Sequence, residues 1–160
     1  MKIIFVHHAH RKKGNPKTQN DDITDIGFQD ANLVAELLSM AKERDQIKAI
    51  YSSEFFRCTK TANIINKHIN APIIIDPRLN EHKSNLNETW TDTLTRTCES
   101  VKDIIKKHDD DDVVICVTSG LNISAFIALA FNTPINENTP MIRIPSCSPM
   151  IFTYKKQDFS

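Results

Sequence analysis

Apolar and polar positions follow two different patterns along the first 130 residues of the chain. Short continuous runs of apolar and β-branched residues predict strands that are buried on both faces, and they alternate with segments of helical spacing. This alternation is typical of a layered α/β fold with a mostly parallel central sheet. The predicted strands are KIIFV at 2–6, IKAIYSS at 47–53, APIIIDP at 71–77 and VVICVT at 113–118.

Between these strands, apolar residues recur every three or four positions, which predicts amphipathic helices. Thr24 is a suitable N-cap, so a first helix is predicted to begin near Asp25. The second helix is FFRCTKTANIINKH, the third runs from about Glu88 to His108, and the fourth is LNISAFIALAF. The apolar faces are predicted to comprise Leu33, Val34, Leu37, Leu38 and Ala41, then Phe55, Ala62, Ile65 and Ile69, then Trp90, Leu94, Val101, Ile104 and Ile105.

The remaining segments are polar or lie near the end of the chain. The stretches 11–22 and 78–87 are predicted to be loops, and the acidic run 109–112 is expected to be a solvated connection. Two further strands are predicted near 141–145 and 150–154.

Length and composition narrow the class of protein. We expect the 160 residues to form one domain, 1–160, and the balance of 20 basic and 20 acidic residues gives no footprint for nucleic acid or an anionic membrane. No apolar run approaches a membrane span, and the first residues do not resemble a signal peptide, so a cytoplasmic location is expected. The four cysteines are scattered without a C-x-x-C pair, which disfavours structural zinc and disulfides. Cys116 lies inside VVICV and Cys147 near a predicted strand, so both are expected to be buried free thiols.

Candidate chemistry collects where predicted strands end. Ligands of open α/β sheets bind beyond the carboxyl ends of the strands. Three places meet that condition: 7–10 after the first strand, 52–57 after the second, and 118–120 after VVICVT.

Five ordered stretches of the chain carry a family pattern: FVHHAH, ITDIGFQDA, IYSSEFFRCTKTANII, DPRLNEH and VVICVTSGLNISAFI. In order and spacing they resemble the histidine phosphatase superfamily, also called phosphoglycerate mutase-like. The most specific match is Y-S-S-x-x-x-R-x-x-x-T-A followed by P-R-L-N-E. The resemblance covers nearly the whole chain and implies a three-layer α/β/α sandwich.

The resemblance also implies a chemistry. A histidine nitrogen attacks a phosphoryl group, and the phosphohistidine is then discharged, with neither metal nor cofactor required. His8 corresponds to the nucleophile of the family's R-H-G opening. Arg57 occupies the position of a phosphate-gripping arginine, and Glu81 that of a general acid. The implied partner is a phosphorylated small molecule or a phosphoprotein.

The sequence departs from the family pattern at two electrostatic positions. His7 stands where the family has an arginine, and Ser119 stands where it has a second histidine. We expect both to line the phosphate site, and Asn15 to approach it from the loop after the nucleophile. Losing one preorganised donor typically costs about 10²–10³ in rate. His10, Lys12 and Lys13 are near enough in sequence to compensate.

Alternative interpretations remain at this stage. His8 and His7 also suit ordinary strand-end histidines. A metal site formed by HHAH and His82 is disfavoured, because adjacent strand residues point to opposite faces. Two functional hypotheses follow: a phosphohydrolase that uses His8, with activity rising toward pH 6 as His7 is protonated, and a degenerate module that only binds phosphorylated ligands. A phosphoglycerate mutase proper is disfavoured by the short polar segment after 81, and no pattern predicts an oligomeric state.

Overall fold

The computed structural model describes residues 1–12, 21–82 and 87–155. Within them, five strands form one sheet and four helices pack around it, which confirms the predicted α/β class. The strands are β1 (Lys2–His7), β2 (Ile47–Ser52), β3 (Ile73–Ile75), β4 (Val113–Thr118) and β5 (Pro149–Thr153). The helices are α1 (Asp25–Ser39), α2 (Phe56–Ile69), α3 (Trp90–Lys107) and α4 (Gly120–Ala130).

The strands lie in the order β3-β2-β4-β1-β5. Neighbouring strands are parallel except for β5, which runs antiparallel to β1. Strand β4 is buried at every position and lies between β1 and β2, as its continuous apolar sequence predicts. The sheet is therefore the mostly parallel one expected from the alternation of strands and helices.

The two faces of the sheet form separate apolar layers. Ile4 and Val6 of β1 face one cluster, which includes residues of α1 and α2, whereas Ile3 and Phe5 face another, which includes residues of α3 and α4. The alternation of side chains along a strand produces this division. It gives the three layers, helices on sheet on helices, that the resemblance implied.

Side-chain caps define the starts of several helices, among them α1 and α3. The hydroxyl of Thr24 accepts a hydrogen bond from Gly27 N, which confirms the predicted cap of α1. Thr89 and Asp92 form a reciprocal capping box at the start of α3. An added Cβ at Gly27 would lie 2.5 Å from the backbone oxygen of His10, so the loop after β1 approaches α1 where only glycine fits.

The buried face of helix α1 agrees only in part with the predicted one. Leu33 and Leu37 are more than half exposed, and the buried face is formed by Gly27, Ala31, Val34, Ala35 and Leu38. Small residues at 27, 31 and 35 allow the helix to approach its neighbours closely. The larger leucines at 33 and 37 project outward instead. The helix carries apolar residues on two faces, and spacing alone does not decide which is covered.

One of the two predicted closing strands is wrong. Residues 141–145 form no strand, whereas β5 occupies the second predicted position. Pro140 precedes the segment and Pro145 ends it, and a proline has no N–H to donate to a ladder. Segment 141–145 joins neither edge of the sheet. It makes irregular contacts instead, such as Ile142 N donating to Ser124 Oγ at 2.9 Å.

The cysteines and the apolar segments give two further findings. All four cysteines lie within the described residues, and each is a buried free thiol, which confirms the prediction for Cys116 and Cys147. Along the described chain, no helix is both long and apolar enough to cross a bilayer.

Candidate active site

The site lies where β1, β2 and β4 end together. Strand register places His7 beside Thr118 and Ser52 beside Val117. The chain continues the pairing for one more residue, since His8 N donates to Thr118 O at 2.9 Å and Ser53 N donates to Val117 O at 3.1 Å. The segments after these three strands therefore converge at one edge of the sheet, as predicted.

The ring of His8 is buried and held from both nitrogens. Nδ1 lies 2.8 Å from Ala9 O, and because a carbonyl only accepts, Nδ1 carries the proton. Arg57 Nε donates to Nε2 over 3.1 Å, so Nε2 presents its lone pair. Burial, followed by repulsion from His7, lowers the pKa of His8 from its ordinary 6.5 to about 3. His8 is therefore a neutral imidazole in one fixed tautomer.

Arg57 joins His8 to Glu81. It lies in the first turn of α2, its side chain is 4% exposed, and its Nη2 is 2.5 Å from Glu81 Oε2. The ring of Phe55 covers the guanidinium at 4.7 Å. The structure thus brings together three residues that the sequence proposed for the site, and the carboxylate of Glu81 offsets the charge of Arg57.

The loop that follows β1 is tied to α2 by a further contact beside His8. Ala9 N donates to Thr61 Oγ1 at 3.0 Å, and Thr61 Oγ1 donates to Arg57 O at 2.7 Å. Thr61 is fully buried. It lies one helical turn after Arg57, so the same helix that presents the guanidinium also fixes the backbone beside His8.

His7 lies against His8 rather than on the opposite face. Strand β1 ends at His7, so the alternation of side chains ends there, and the two ring centroids are 4.5 Å apart. His7 Nδ1 donates to Ile144 O at 2.8 Å. Burial lowers the pKa of His7, although the carbonyls of Ile144 and Pro145 favour the protonated ring. A neutral His7 therefore presents an acceptor at Nε2, and only the imidazolium donates from it.

Ser119 caps a helix. Its hydroxyl donates to Asn122 Oδ1 at 2.5 Å and accepts from Asn122 N at 3.5 Å, at the start of α4. A hydroxyl has one proton to donate. In this arrangement that proton is committed to Asn122, so Ser119 offers no donor to a phosphate. Asn122 Nδ2 in turn donates to Asn80 O at 3.1 Å, on the turn that precedes Glu81.

Other residues singled out in the sequence lie elsewhere. His10 is exposed and its Nδ1 lies 3.1 Å from Thr24 Oγ1, and the ammonium of Lys12 lies 3.7 Å from Asp22. His82 Nδ1 contacts Thr93 Oγ1 at 3.1 Å, beside α3. Asn15 and Lys13 fall outside the described residues, as do 83–86 of the segment after Glu81.

Sequence reasoning missed the residues that support Glu81. Two side chains donate to the backbone oxygen of Asn80 in the turn 77–81, those of Arg96 and Asn122. The side chain of Asn80 itself contacts Ser53 at the end of β2. Arg96 lies on the polar side of an amphipathic helix, where an arginine is ordinary. Arg96 belongs to none of the recognised motifs, so nothing in the sequence indicates that it supports Glu81.

Neither metal geometry nor cleft volume locates this site. Among the described residues, no group of three or more His, Cys, Asp and Glu side chains is arranged to hold a metal ion. Two clefts of about 600 and 510 Å³ lie away from His8, and they are lined by residues that include Lys2 and Ile3 near the amino end of β1. The hydrogen bonds between His8, Arg57 and Glu81 define the site instead.

Comparison with known families decides the relationship. The model of the histidine phosphatase superfamily (branch 1) matches residues 3–85, slightly more than half of the chain. This chain belongs to the histidine phosphatase superfamily. The matched residues include His7, His8, Arg57 and Glu81, whereas Ser119 lies beyond them.

Solved structures agree with the fold of this histidine phosphatase superfamily member. YhfR of Bacillus stearothermophilus superposes with a TM-score of 0.77 at 20% identity, over 97% of this chain and 92% of its own. A mycobacterial glucosyl-3-phosphoglycerate phosphatase gives 0.75 at 18%, over 94% and 90%. SixA of Agrobacterium tumefaciens, which carries the name of a phosphohistidine phosphatase, gives 0.64 at 15%, over 94% and 89%. No curated protein matches the sequence.

Proposed function

We propose that this chain is a small metal-independent phosphohydrolase that acts on phosphomonoesters or phosphohistidine through a phosphohistidine on His8. One observation carries the proposal. The Nε2 lone pair of a buried neutral His8 lies 3.1 Å from the Nε of Arg57. A nucleophile and a cation that can hold the phosphoryl oxygens therefore lie side by side, which is the arrangement that phosphoryl transfer to nitrogen requires.

The proposed reaction has two steps. In the first, the phosphoryl group displaces Glu81 from Arg57 and replaces the hydrogen bond from Arg57 to His8 Nε2, and Glu81 takes up a proton. His8 Nε2 then forms a bond to phosphorus, the bond from phosphorus to the leaving oxygen breaks, and the Glu81 carboxyl gives its proton to that oxygen. In the second, water attacks the phosphorus and the N–P bond breaks, while the Glu81 carboxylate takes the proton of the water. The products are orthophosphate, the dephosphorylated substrate and the restored neutral histidine.

Substrate binding requires an exchange of partners at Arg57. Its Nη2 meets Glu81 in the structure, and a phosphoryl group would take that contact. The exchange moves the Glu81 carboxyl from the guanidinium toward the leaving oxygen. The same movement places a general acid and releases the cation, so binding and positioning of the acid are coupled in this proposal.

A second candidate function is a binding module that recognises phosphorylated ligands without turnover. Two observations favour it over an efficient enzyme. Neutral His7 donates its Nδ1 proton to Ile144 O, and Ser119 donates its hydroxyl proton to Asn122. Neither replaces the donor expected at its position, and each loss costs about 10²–10³ in rate. We therefore expect slow turnover near neutral pH.

The class of substrate follows from the site and is supported by relatives. Two structural neighbours carry the names of a glucosyl-3-phosphoglycerate phosphatase and a phosphohistidine phosphatase. For this chain we propose the shared chemistry, a terminal phosphoryl group on oxygen or nitrogen.

The test compares wild type with His8→Asn and with His10→Asn as a matched control, since His10 is exposed and lies outside the site. The substrates are an aryl phosphate, a sugar phosphate and a phosphohistidine protein, each assayed with and without EDTA. The proposal predicts EDTA-insensitive turnover by wild type and His10→Asn that His8→Asn lacks. Equal rates for wild type and His8→Asn on all three substrates contradict it.

A further inference from the structure

Arg96 holds the turn that presents Glu81. It lies on α3, and its guanidinium donates to the backbone oxygens of Arg78 and Asn80, both at 2.7 Å, and to Glu81 O at 3.5 Å. These carbonyls belong to one short stretch, which begins with the 3-10 turn Pro77–Leu79. A single planar cation therefore contacts three of the four residues from 78 to 81.

The guanidinium is itself fixed by Glu88. Arg96 Nε lies 2.6 Å from Glu88 Oε1, and Nη2 lies 3.1 Å from Glu88 Oε2. Two parallel bonds of this kind fix the orientation of an arginine as well as its place. Both side chains are mostly buried, with 19% and 17% exposed. Arg96 is thus a rigid support and not a solvated side chain that meets carbonyls by chance.

The turn is held from other elements as well. Asn80 Oδ1 accepts from Ser53 Oγ at 2.7 Å and from Glu54 N at 3.0 Å, which ties the turn to the end of β2. Asn122 donates to Asn80 O from α4. Among these contacts, only the one from Arg96 reaches the backbone of Glu81.

We propose that Arg96 is a positioning residue for Glu81, acting through the backbone of 78–81. It keeps the Glu81 carboxyl within reach of Arg57 and of the leaving oxygen. This inference rests on the proposed role of Glu81 as the acid. A displacement of about 1 Å at a reacting group costs about 10² in rate, so a support of this kind controls catalysis without touching the substrate.

The test uses leaving groups. Protonation matters for an alkyl phosphate, whose leaving alkoxide is strongly basic, and matters little for 2,4-dinitrophenyl phosphate. The rates are compared as kcat/KM, which covers the steps up to release of the leaving group and not the later attack of water, in which Glu81 is the base. On this measure Glu81→Gln should slow the alkyl phosphate by about 10² or more and the dinitrophenyl ester by less than about threefold. Arg96→Gln should show the same selective loss, at least about tenfold on the alkyl phosphate. A merely structural role lowers both rates equally, because it changes only the folded fraction.

Three further variants sharpen the comparison. Lys102→Gln is the matched control, since Lys102 is an exposed cation on the same helix and lies outside the turn 78–81. It should leave the ratio of the two rates unchanged. Arg96→Lys keeps the charge but not the paired N–H donors of the guanidinium, so its loss should be smaller than that of Arg96→Gln. Glu81→Gln combined with Arg96→Gln should be no slower on the alkyl phosphate than Glu81→Gln alone.

The outcomes separate the inference from the function on which it rests. If Glu81→Gln shows no dependence on the leaving group, the acid role of Glu81 fails. If Glu81→Gln shows it and Arg96→Gln does not, the inference alone is overturned. A crystal structure of Arg96→Gln decides the matter without activity: the inference predicts that 78–81 shifts and the Arg57–Glu81 contact is lost, and an unchanged contact overturns it.

Discussion

Arg57 Nε donates a hydrogen bond to His8 Nε2 over 3.1 Å, although the two residues are 49 positions apart in the chain. The bond fixes the lone pair of His8 beside a cation. The other end of the guanidinium meets Glu81, so a phosphoryl group must compete with a carboxylate for Arg57. The site is closely assembled and nearly neutral overall, and its affinity for anions depends on that competition.

Arg57 should be indispensable for phosphate binding. Inorganic phosphate at about 100 times its Kd should stabilise wild type by about 2.7 kcal/mol, which corresponds to about 5–10 °C in Tm for a domain of this size. Arg57→Gln should abolish the shift, as measured by thermal unfolding with and without phosphate. Because this variant leaves Glu81 without its buried partner, Arg57→Gln with Glu81→Gln serves as a second variant. A full shift in both would show that the anion binds elsewhere.

Glu81→Gln should tighten phosphate binding. The variant removes the carboxylate that occupies Arg57, so the affinity measured by calorimetry should rise about threefold to tenfold. Turnover of an alkyl phosphate should fall in the same variant, because the acid is lost. Asp103→Asn is a suitable control, since Asp103 pairs with Arg78 and Lys106 away from His8. Weaker phosphate binding by Glu81→Gln would contradict the competition at Arg57.

The sequence predicted the elements better than their contacts. VVICVT could be recognised as a strand because both of its faces are buried, and Thr24 as a cap because a threonine hydroxyl satisfies a first-turn N–H. Leu33 and Leu37 were misjudged because α1 has two apolar faces, and spacing does not reveal which one meets the sheet. Apolar residues predict a strand at 141–145, but the backbone N–H of Ile142 meets Ser124 and the carbonyl of Ile144 meets His7, and a local pattern does not reveal these contacts.

His7 should make anion binding depend on pH. Burial lowers its pKa below 6.5, so the imidazolium that can donate from Nε2 forms only at more acid pH. Sulfate, which stays a dianion throughout, should bind about tenfold more tightly at pH 5 than at pH 7.5, since one charge-assisted hydrogen bond is gained. His7→Arg should bind tightly at both pH values, and His7→Gln weakly at both. A wild-type affinity that does not change with pH, or an unaltered slope in His7→Gln, argues against this role.

His8 should make folding stability sensitive to acid. In the unfolded chain His8 takes up a proton near pH 6.5, whereas folded His8 stays neutral until about pH 3. The unfolded state therefore binds more protons within this window. The contribution of neutral His8 to the free energy of unfolding is fully present above pH 6.5 and is lost as the pH falls toward 3. Urea titrations should show that wild type loses about 2–3 kcal/mol more than His8→Asn between pH 6.5 and 4.5. Parallel losses would mean that folded His8 titrates normally.

The site could be predicted in part. Motifs identified His8, Arg57 and Glu81, and the structure brings the three together, but motifs do not specify hydrogen bonds. Ser119 is hydrogen-bonded to Asn122, and His7 to Ile144. These bonds depend on how α4 and the segment before β5 pack, which no local pattern encodes. Arg96 was missed for the same reason, since the backbone carbonyls that it contacts lie 15 to 18 residues earlier in the chain.

The most direct measurement is the site of covalent phosphorylation during turnover. Wild type and His8→Asn are incubated with p-nitrophenyl phosphate, denatured at alkaline pH to preserve a phosphoryl–nitrogen bond, digested and mapped by mass spectrometry. The account predicts a phosphoryl group on the wild-type peptide that contains His8 and none on any peptide of His8→Asn. Turnover without a phosphoryl group on His8, or with one on another residue, would contradict it.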